Sequence, residues 1–476
     1  MTESKIITLL RAMAPKQASR FGDFLRSPYF NKNQDCIVFF EYLQKYAPHF
    51  AQENLTRQKL QLKLPSGKPL DDKALAQLGS RLSVLAEKFL AVEMLLDDPW
   101  ELQMRVAQQY HTLNLPKHLK AARAGAGACF ENNLQRNADY YLKKLLSEKM
   151  ALEHGDEHQI DHNEHLQLAA DALDVFYVAE KLRYACDIFN YEIVLNIRYQ
   201  LTHIEDILRW AEEPAFENAP PVQVYYRLAQ LLKNPEEPTW FEQAKQAVER
   251  YEPAFPPGEL RQVYTLLLNF CTMRINRYND ERFWTEYLDI NKLLLKNGLI
   301  FDGTDIPPWR YTNLVNVGLK VGQTEWVWDF MHNHRKQLPP EYTGNVFRYN
   351  LAQFHYHQKK HDAAQRALAQ VEFTNVVFNI TARSLLIKIY CETNQTELLL
   401  AYLEATRIFL HRNRLLDATR KRQMRKFVEI TTKLAKTAPG DKARLQALLE
   451  QLPPVRDVIH RDWLAGQIRM RLNRPR

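Results

Sequence analysis

Glycine is scarce in this chain, which has 14 glycines in 476 residues, about half the usual frequency. Because glycine supplies hairpin turns and phosphate-binding loops, its scarcity argues against a nucleotide-binding sheet and favours helices joined by short connections. The sequence contains no phosphate-loop lysine motif. The segment Gly125-Ala126-Gly127 lacks a preceding strand and a third glycine, so it does not match a dinucleotide-binding loop.

Cysteines and long hydrophobic runs are also sparse. The five cysteines are widely scattered, which favours reduced thiols over a disulfide framework or a zinc site. The apolar stretch near the start of the chain ends at Arg11 and is too short for a signal-peptide core. No uninterrupted apolar run approaches the ~20 residues that span a bilayer. We therefore expect a cytoplasmic protein without a transmembrane segment.

Proline pairs interrupt the chain at intervals from residue 220 onward. A proline pair cannot continue a helix and disfavours helical geometry in the residue before it. Leucine-anchored patterns of helical period follow the first four pairs, and regular stops of this kind are typical of stacked helix pairs. The five pairs begin at Pro220, Pro256, Pro307, Pro339 and Pro453.

Apolar periodicity predicts an all-α fold: an α-solenoid of antiparallel helix pairs behind an N-terminal helical module. Long helices are predicted over residues 128–152 and 164–199. A turn at residues 65–69 between two helices also invites a helix-turn-helix interpretation, although that geometry is generic. The predicted regions are an N-terminal module (1–100), long helical hairpins (101–220), helix-pair repeats (221–410) and basic C-terminal capping helices (411–476).

A spacing of about one helix pair recurs within residues 221–410. Leu351 and Ala352 recur 34 residues later as Leu385 and Leu386. The positions matched across three successive units are Leu314, Val327 and Met331; Leu351, Ala364 and Leu368; and Leu385, Leu398 and Tyr402. We expect the following of them to be buried at helix-pair contacts: Leu351, Ala364, Leu368, Leu385, Leu398 and Tyr402. In this spacing and its apolar positions the region resembles a degenerate form of the tetratricopeptide repeat, a 34-residue helix pair.

The resemblance implies a binding surface. In tetratricopeptide arrays the first helix of each pair lines the concave face. Four amides lie two residues after successive anchoring leucines, and amides can pair with the main chain of an extended peptide. Flanking side chains lie two residues before the anchors. The predicted peptide-binding residues are Tyr226, Gln230, Asn269, Asn316, Tyr349, Gln353 and Arg383. The alternative is the ordinary polar composition of an exposed helix surface.

Positive charge is concentrated at the C-terminal end. Residues 405–476 contain 18 Lys and Arg against 6 Asp and Glu, whereas the rest of the chain is slightly acidic. This asymmetry predicts an acidic partner, which could be nucleic acid, an anionic membrane surface or an acidic protein; the alternative is a solvated basic face. The predicted basic patch is Arg414, Lys421, Arg422, Arg425 and Lys426.

Histidines cluster between the two long predicted helices. His154, His158 and His162 recur every four residues, with His165 close behind, and imidazoles at this spacing can bind a metal. Gly155 weakens a helix there, and a polar connection between helices is the alternative interpretation. The pattern is not that of a metalloprotease, which needs Glu directly after the first His. We predict no resident metal and no cofactor.

The sequence carries no recognisable nucleophile motif, so the predicted function is not enzymatic. The first expectation is a protein- or peptide-binding scaffold or adaptor that uses the concave face of a helical repeat array. The alternative is a nucleic-acid-binding repeat protein acting through the basic C-terminal helices. An enzyme with a metal at the histidine cluster comes third.

Overall fold

The computed structural model describes residues 4–50, 55–67, 69–131, 133–154, 161–195, 197–237, 239–371, 376–413, 416–438, 440–454 and 457–473. Within these ranges the regular elements are α-helices and short 3-10 turns, and no β-strand occurs. The all-α class is therefore confirmed. In the same part of the chain, no helix combines the length and the apolar character needed to cross a membrane.

The chain divides into two compact units, Met1–Tyr177 and Val178–Arg476. The boundaries that we placed after residues 100, 220 and 410 stay predictions. The helices of the first unit are α1 (Lys5–Ala12), α2 (Pro15–Arg26), α3 (Gln34–Gln44), α4 (Arg57–Gln61), α5 (Asp72–Asp97), α6 (Pro99–Thr112), α7 (Pro116–Glu131) and α8 (Ala138–His154). Helix α9 (Asp161–Leu195) begins in the first unit and ends in the second.

The second unit continues with helices up to the C-terminal end. They are α10 (Ile204–Trp210), α11 (Pro220–Lys233), α12 (Thr239–Tyr251), α13 (Pro257–Tyr278), α14 (Arg282–Lys296), α15 (Pro308–Lys320), α16 (Thr324–Asn333), α17 (Pro340–His357), α18 (His361–Ala369), α19 (Val376–Glu392), α20 (Thr396–Arg412), α21 (Ala418–Lys436), α22 (Lys442–Glu450) and α23 (Arg461–Leu472).

Four proline pairs start helices directly. Pro220 is the first residue of α11, and the second proline of each later pair, Pro257, Pro308 and Pro340, is the first residue of α13, α15 and α17. The first helical position suits proline because its backbone needs no N–H donor there and its fixed φ is already helical. The prolines therefore start the helices that carry the predicted peptide-binding residues other than Arg383, which lies on α19.

From α11 onward, helices that follow one another pack together. Helix α11 packs on α12, α13 on α14, α17 on α18, and α20 on both α19 and α21. Helix α17 also contacts α15 and α19, so the first helices of neighbouring predicted pairs touch one another. The core around α17 to α19 includes Ala364, Leu368 and Leu385, all of which are buried as predicted.

One predicted helix is wrong. The structure has no single helix over residues 128–152; α7 ends at Glu131 and α8 begins at Ala138. Asn133 accepts a hydrogen bond from the backbone N–H of Gln135, and Asn137 accepts one from that of Tyr140. Asparagine side chains that bond to nearby backbone N–H groups favour turns and helix starts over helix interiors. These local bonds explain the interruption.

The register of one repeat is also wrong. We expected Leu398 to be buried at a helix-pair contact, but it is 55% exposed, whereas its neighbour Leu399 is 1% exposed. Leu351 and Tyr402, which were expected in the core, are half-buried. Adjacent residues on a helix point about 100° apart, so a one-residue shift of the repeat exchanges a core position for a solvent position.

Candidate functional site

Two of the predicted amides meet across neighbouring helices. Gln353 on α17 donates from Nε2 to the hydroxyl of Tyr349 at 2.7 Å and to Oδ1 of Asn316 on α15 at 3.5 Å. Asn316 is exposed and Gln353 is half-buried, while Tyr349 lies in the core. The structure therefore brings together three of the seven residues predicted to bind a peptide, on adjacent first helices of the proposed repeats.

This group retains hydrogen-bonding capacity towards an outside ligand. In the described part of the chain, Nδ2 of Asn316 and Oε1 of Gln353 have no hydrogen-bond partner, which leaves a donor group and an acceptor atom on neighbouring helices. Burial raises the pKa of Tyr349 to about 12, so its hydroxyl stays protonated at neutral pH. A main-chain peptide unit likewise offers one donor and one acceptor. We name Asn316, Tyr349 and Gln353 the amide pair site.

A second polar bond fixes the two helices beneath this site. Asn350 is fully buried and donates to Oγ1 of Thr312 on α15 at 3.1 Å and to the carbonyl of Val346 at 2.8 Å. The bond to Thr312 sets the register of α17 against α15, because a shift would break it, while Oδ1 of Asn350 has no hydrogen-bond partner in the described part of the chain. Sequence reasoning missed Asn350, although a polar residue between Tyr349 and Leu351, both assigned to the repeat pattern, was a usable signal.

The other predicted amides are bonded elsewhere. Gln230 donates to the hydroxyl of Tyr226 at 3.3 Å and accepts from Asn234 at 3.2 Å, all within or just after α11. Asn269 on α13 donates to Oδ1 of Asn190 on α9 at 3.0 Å. The internal partners of Gln230 occupy both halves of its amide, so an incoming ligand would have to displace them.

Arg383 faces the following helix. Its Nε donates to Oδ1 of Asn379 at 2.7 Å, and its guanidinium lies 4.6 Å from the ring centre of Phe409 and 5.5 Å from that of Tyr402 on α20. Stacking of a guanidinium on aromatic rings stabilises the contact between the two helices. The structure thus gives Arg383 a role in packing α19 on α20, and its predicted contact with a peptide stays a prediction.

The members of the predicted basic patch have different partners in the structure. Lys421 donates to the carbonyl of Asn413 at 2.8 Å, Arg422 pairs with Asp457 at 3.3 Å, and Lys426 pairs with Glu429 at 3.1 Å. Arg414 lies outside the described residues. The remaining member, Arg425, lines a groove with a different set of basic residues.

This groove, which we name the basic groove, has a volume of about 870 Å³ and lies between α20, α21 and α22. Glu429 is the one acidic residue among those that line it, and Ile408, Leu410 and Val428 are its aliphatic members. Sequence reasoning missed most of it, because the groove combines faces of three helices. Its basic side chains are Arg407, Arg412, Arg425, Lys433, Lys436 and Arg444.

A half-buried carboxylate connects the last helix to α17 and α19. Glu392, at the end of α19, accepts hydrogen bonds from Nε1 of Trp463 on α23 at 2.7 Å and from the hydroxyl of Tyr356 on α17. Lys359 lies 3.3 Å away. Burial favours the protonated acid, but these hydrogen bonds and the charge of Lys359 together hold the pKa of Glu392 below its usual value. The ionised carboxylate is thus a structural anchor.

The predicted histidine cluster lies mostly outside the described residues. Of the four histidines, the side chain of His165 is described, and its Nδ1 lies 2.6 Å from Oε2 of Glu148 on α8. Among the described residues, no group of three or more His, Cys, Asp or Glu side chains has an arrangement that could hold a metal ion. The described cysteines are free thiols, and burial raises the pKa of Cys36 to about 11.

Comparison with known proteins identifies no relative. No family model, curated protein or solved structure gives a significant match to this chain.

Proposed function

We propose that this chain is a non-catalytic scaffold or adaptor that binds an extended peptide segment of a partner protein on the first helices of a helical repeat array. In this proposal α11 to α20 form a tetratricopeptide-like superhelix of antiparallel pairs, and the protein works in the cytoplasm. The contacts of α17 with α15 and α19 support such an array, because first helices must touch in series to build a continuous face.

The amide pair site carries the proposal. Asn316 and Gln353 come from adjacent first helices, and their Nδ2 and Oε1 have no partner in the described part of the chain. A peptide unit that binds there gains a donor and an acceptor without breaking the bond between Gln353 and Tyr349. The buried contact between Asn350 and Thr312 holds the two helices in place, so little ordering is needed on binding.

Selection of peptides tests the proposal directly. A random-peptide phage library is panned on the immobilised protein, and the dissociation constants of selected peptides are measured by fluorescence anisotropy. We expect Asn316→Ala and Gln353→Ala each to weaken binding by about 1 kcal/mol, or about fivefold, the usual effect of losing a hydrogen bond.

Gln262→Ala is the matched control, since Gln262 is an exposed amide on α13 outside the amide pair site. The affinity of the Gln262→Ala variant for the selected peptides should equal that of the wild type. A library that yields no binder, or selected peptides that bind both site variants as tightly as the wild type, would show that the amide pair is ordinary polar surface.

A further inference from the structure

The basic groove has a strong excess of positive charge that the protein does not neutralise internally. Arg407 pairs with Glu404 and Lys433 pairs with Glu429. The side chains of the other four basic lining residues form no ion pair with an acidic side chain in the described part of the chain, although Glu404 attracts Lys436. These residues are Arg412, Arg425, Lys436 and Arg444. Like charges gathered in this way repel one another, and an anionic ligand removes that repulsion.

The lining of the groove also includes aliphatic side chains. Ile408 is 41% exposed, whereas Leu410 and Val428 are buried. An exposed aliphatic residue in a groove lined by arginines and lysines leaves apolar surface in contact with water, and a ligand that covers it gains from burying it. The groove therefore offers two kinds of contact, charged side chains and exposed hydrocarbon.

This combination favours a peptide over a nucleic acid. Single-stranded nucleic acids bind by stacking their bases on aromatic side chains, and His411 is the one ring-bearing residue that lines the groove. Phosphate groups gain no favourable contact from the aliphatic side chains of the groove. An amphipathic helix, in contrast, places apolar side chains in a groove and keeps its polar face at the edges. Carboxylates on that face can form bidentate pairs with arginines.

We propose that the basic groove binds an acidic amphipathic segment of a partner protein. Leucine-like side chains of the segment contact Ile408 and Val428, and its carboxylates pair with Arg412, Arg425 and Arg444. This inference rests on the proposed function in that it assumes a protein partner, but it uses a surface separate from the amide pair site and names the chemistry of the segment.

The test uses the full-length chain and three labelled probes. The first is a synthetic helical peptide with glutamates on one face and leucines at positions i, i+3 and i+7. The second has the same charge but carries serine in place of leucine, and the third is a single-stranded oligouridine. Binding is measured by fluorescence anisotropy at low and at moderate salt. We expect the leucine peptide to bind more tightly than the other two probes.

Variants of the groove locate the site. Arg425→Glu should weaken binding of the leucine peptide at least about tenfold, because it turns an attraction into a repulsion. Ile408→Ser should weaken it several-fold by removing the apolar contact. Lys442→Glu is the matched control, since Lys442 is an exposed residue of α22 that does not line the groove, and the same change of charge there should leave the affinity within about twofold.

The outcomes separate the possibilities. Equal affinities for the leucine and serine peptides would show that the groove binds by non-specific charge attraction alone, and would overturn the proposal. Tighter binding of the oligouridine, with no effect of Ile408→Ser, would assign the groove to nucleic acid and also overturn it. Absence of binding at low salt would do the same. Gln353→Ala should leave binding of the leucine peptide unchanged, so failure at the groove is distinct from failure at the amide pair site.

Discussion

At the scale of single residues, Gly318 shows how closely two helices approach. A Cβ atom at this position of α15 would collide with Val327 and would lie 3.4 Å from the ring of Trp326, both on α16. Val327 is buried and branched at Cβ, so it has little freedom to move aside. The absence of a side chain at Gly318 is therefore a packing requirement.

We predict that Gly318→Ala lowers the free energy of unfolding by about 1–3 kcal/mol, the usual cost of overpacking a core. Gly344→Ala is the matched control, because Gly344 lies inside α17 and a Cβ there would meet no atom closer than 3.8 Å. Alanine should stabilise that helix by up to about 1 kcal/mol. Urea denaturation of both variants checks the pair, and equal effects would show that α15 and α16 do not approach this closely.

At the scale of the element, α20 shows the difference between apolar composition and orientation. The helix contains Leu398, Leu399 and Leu400 in succession, and the repeat spacing assigned the first of them to the core. In the structure Leu399 and Leu403 face the core, while Leu398 faces solvent. A run of leucines indicates an apolar helix start but leaves its rotation undetermined, because rotation depends on the helices against which it packs.

We predict that Leu399→Ala lowers the free energy of unfolding by about 2–5 kcal/mol, as expected for a fully packed leucine. Leu398→Ala should change it by less than about 0.5 kcal/mol, the range of surface substitutions. The two variants are measured side by side by thermal and chemical unfolding. A larger loss of stability in Leu398→Ala than in Leu399→Ala would contradict the structure and support the register that the repeat spacing indicated.

In the basic groove, too, the rotation of the helices decides which side chains meet, here across several helices. Arg425, Glu429, Lys433 and Lys436 follow one another at helical spacing, so a single face of α21 could have been identified from the sequence. That this face meets Arg407 and Arg412 of α20 could not, since the contact depends on how α20 and α21 are rotated against each other.

At the scale of the whole molecule, the C-terminal helix closes the second unit. Leu464 and Ile468 of α23 are fully buried in a core that also contains residues of α19, α20 and α21. That this helix caps a repeat array stays a prediction. The bond between Trp463 and Glu392 connects positions 71 residues apart in the chain, so closure depends on a long-range polar contact.

We predict that Glu392→Gln lowers the free energy of unfolding at neutral pH by about 1–3 kcal/mol, the range for a hydrogen bond to a charged group. The folded protein holds the pKa of Glu392 below the usual value of 4.5, so the stabilisation is complete above that value. It is lost as the pH falls further, through the pKa of the folded state.

The measurement is urea denaturation of the wild type and of Glu392→Gln between neutral pH and pH 3. The difference between the two proteins should shrink as the solution becomes more acidic. Glu397→Gln is the control for exchanging a carboxylate for an amide, because Glu397 is exposed near the start of α20. A difference that stays constant with pH would contradict an ionised, hydrogen-bonded Glu392.

The sequence by itself determined the helical class and the positions where several helices begin. Scarce glycine, helical periodicity and the proline pairs act locally, through backbone geometry and hydrogen bonding within a few residues, so they can be interpreted without a tertiary structure. Local side-chain hydrogen bonds also set the interruption between α7 and α8. Asn133 and Asn137 indicated this interruption in the sequence, but the apolar periodicity across it predicted one continuous helix.

The tertiary structure decided which side chains meet. It placed Asn316 beside Gln353, whereas Gln230 and Asn269 bond to other partners. It also buried Leu399 in the core in place of the expected Leu398. It also built the basic groove from three helices. These outcomes depend on the rotation and register of helices against one another, which arise from the summed packing of many distant residues and leave no single local pattern in the chain.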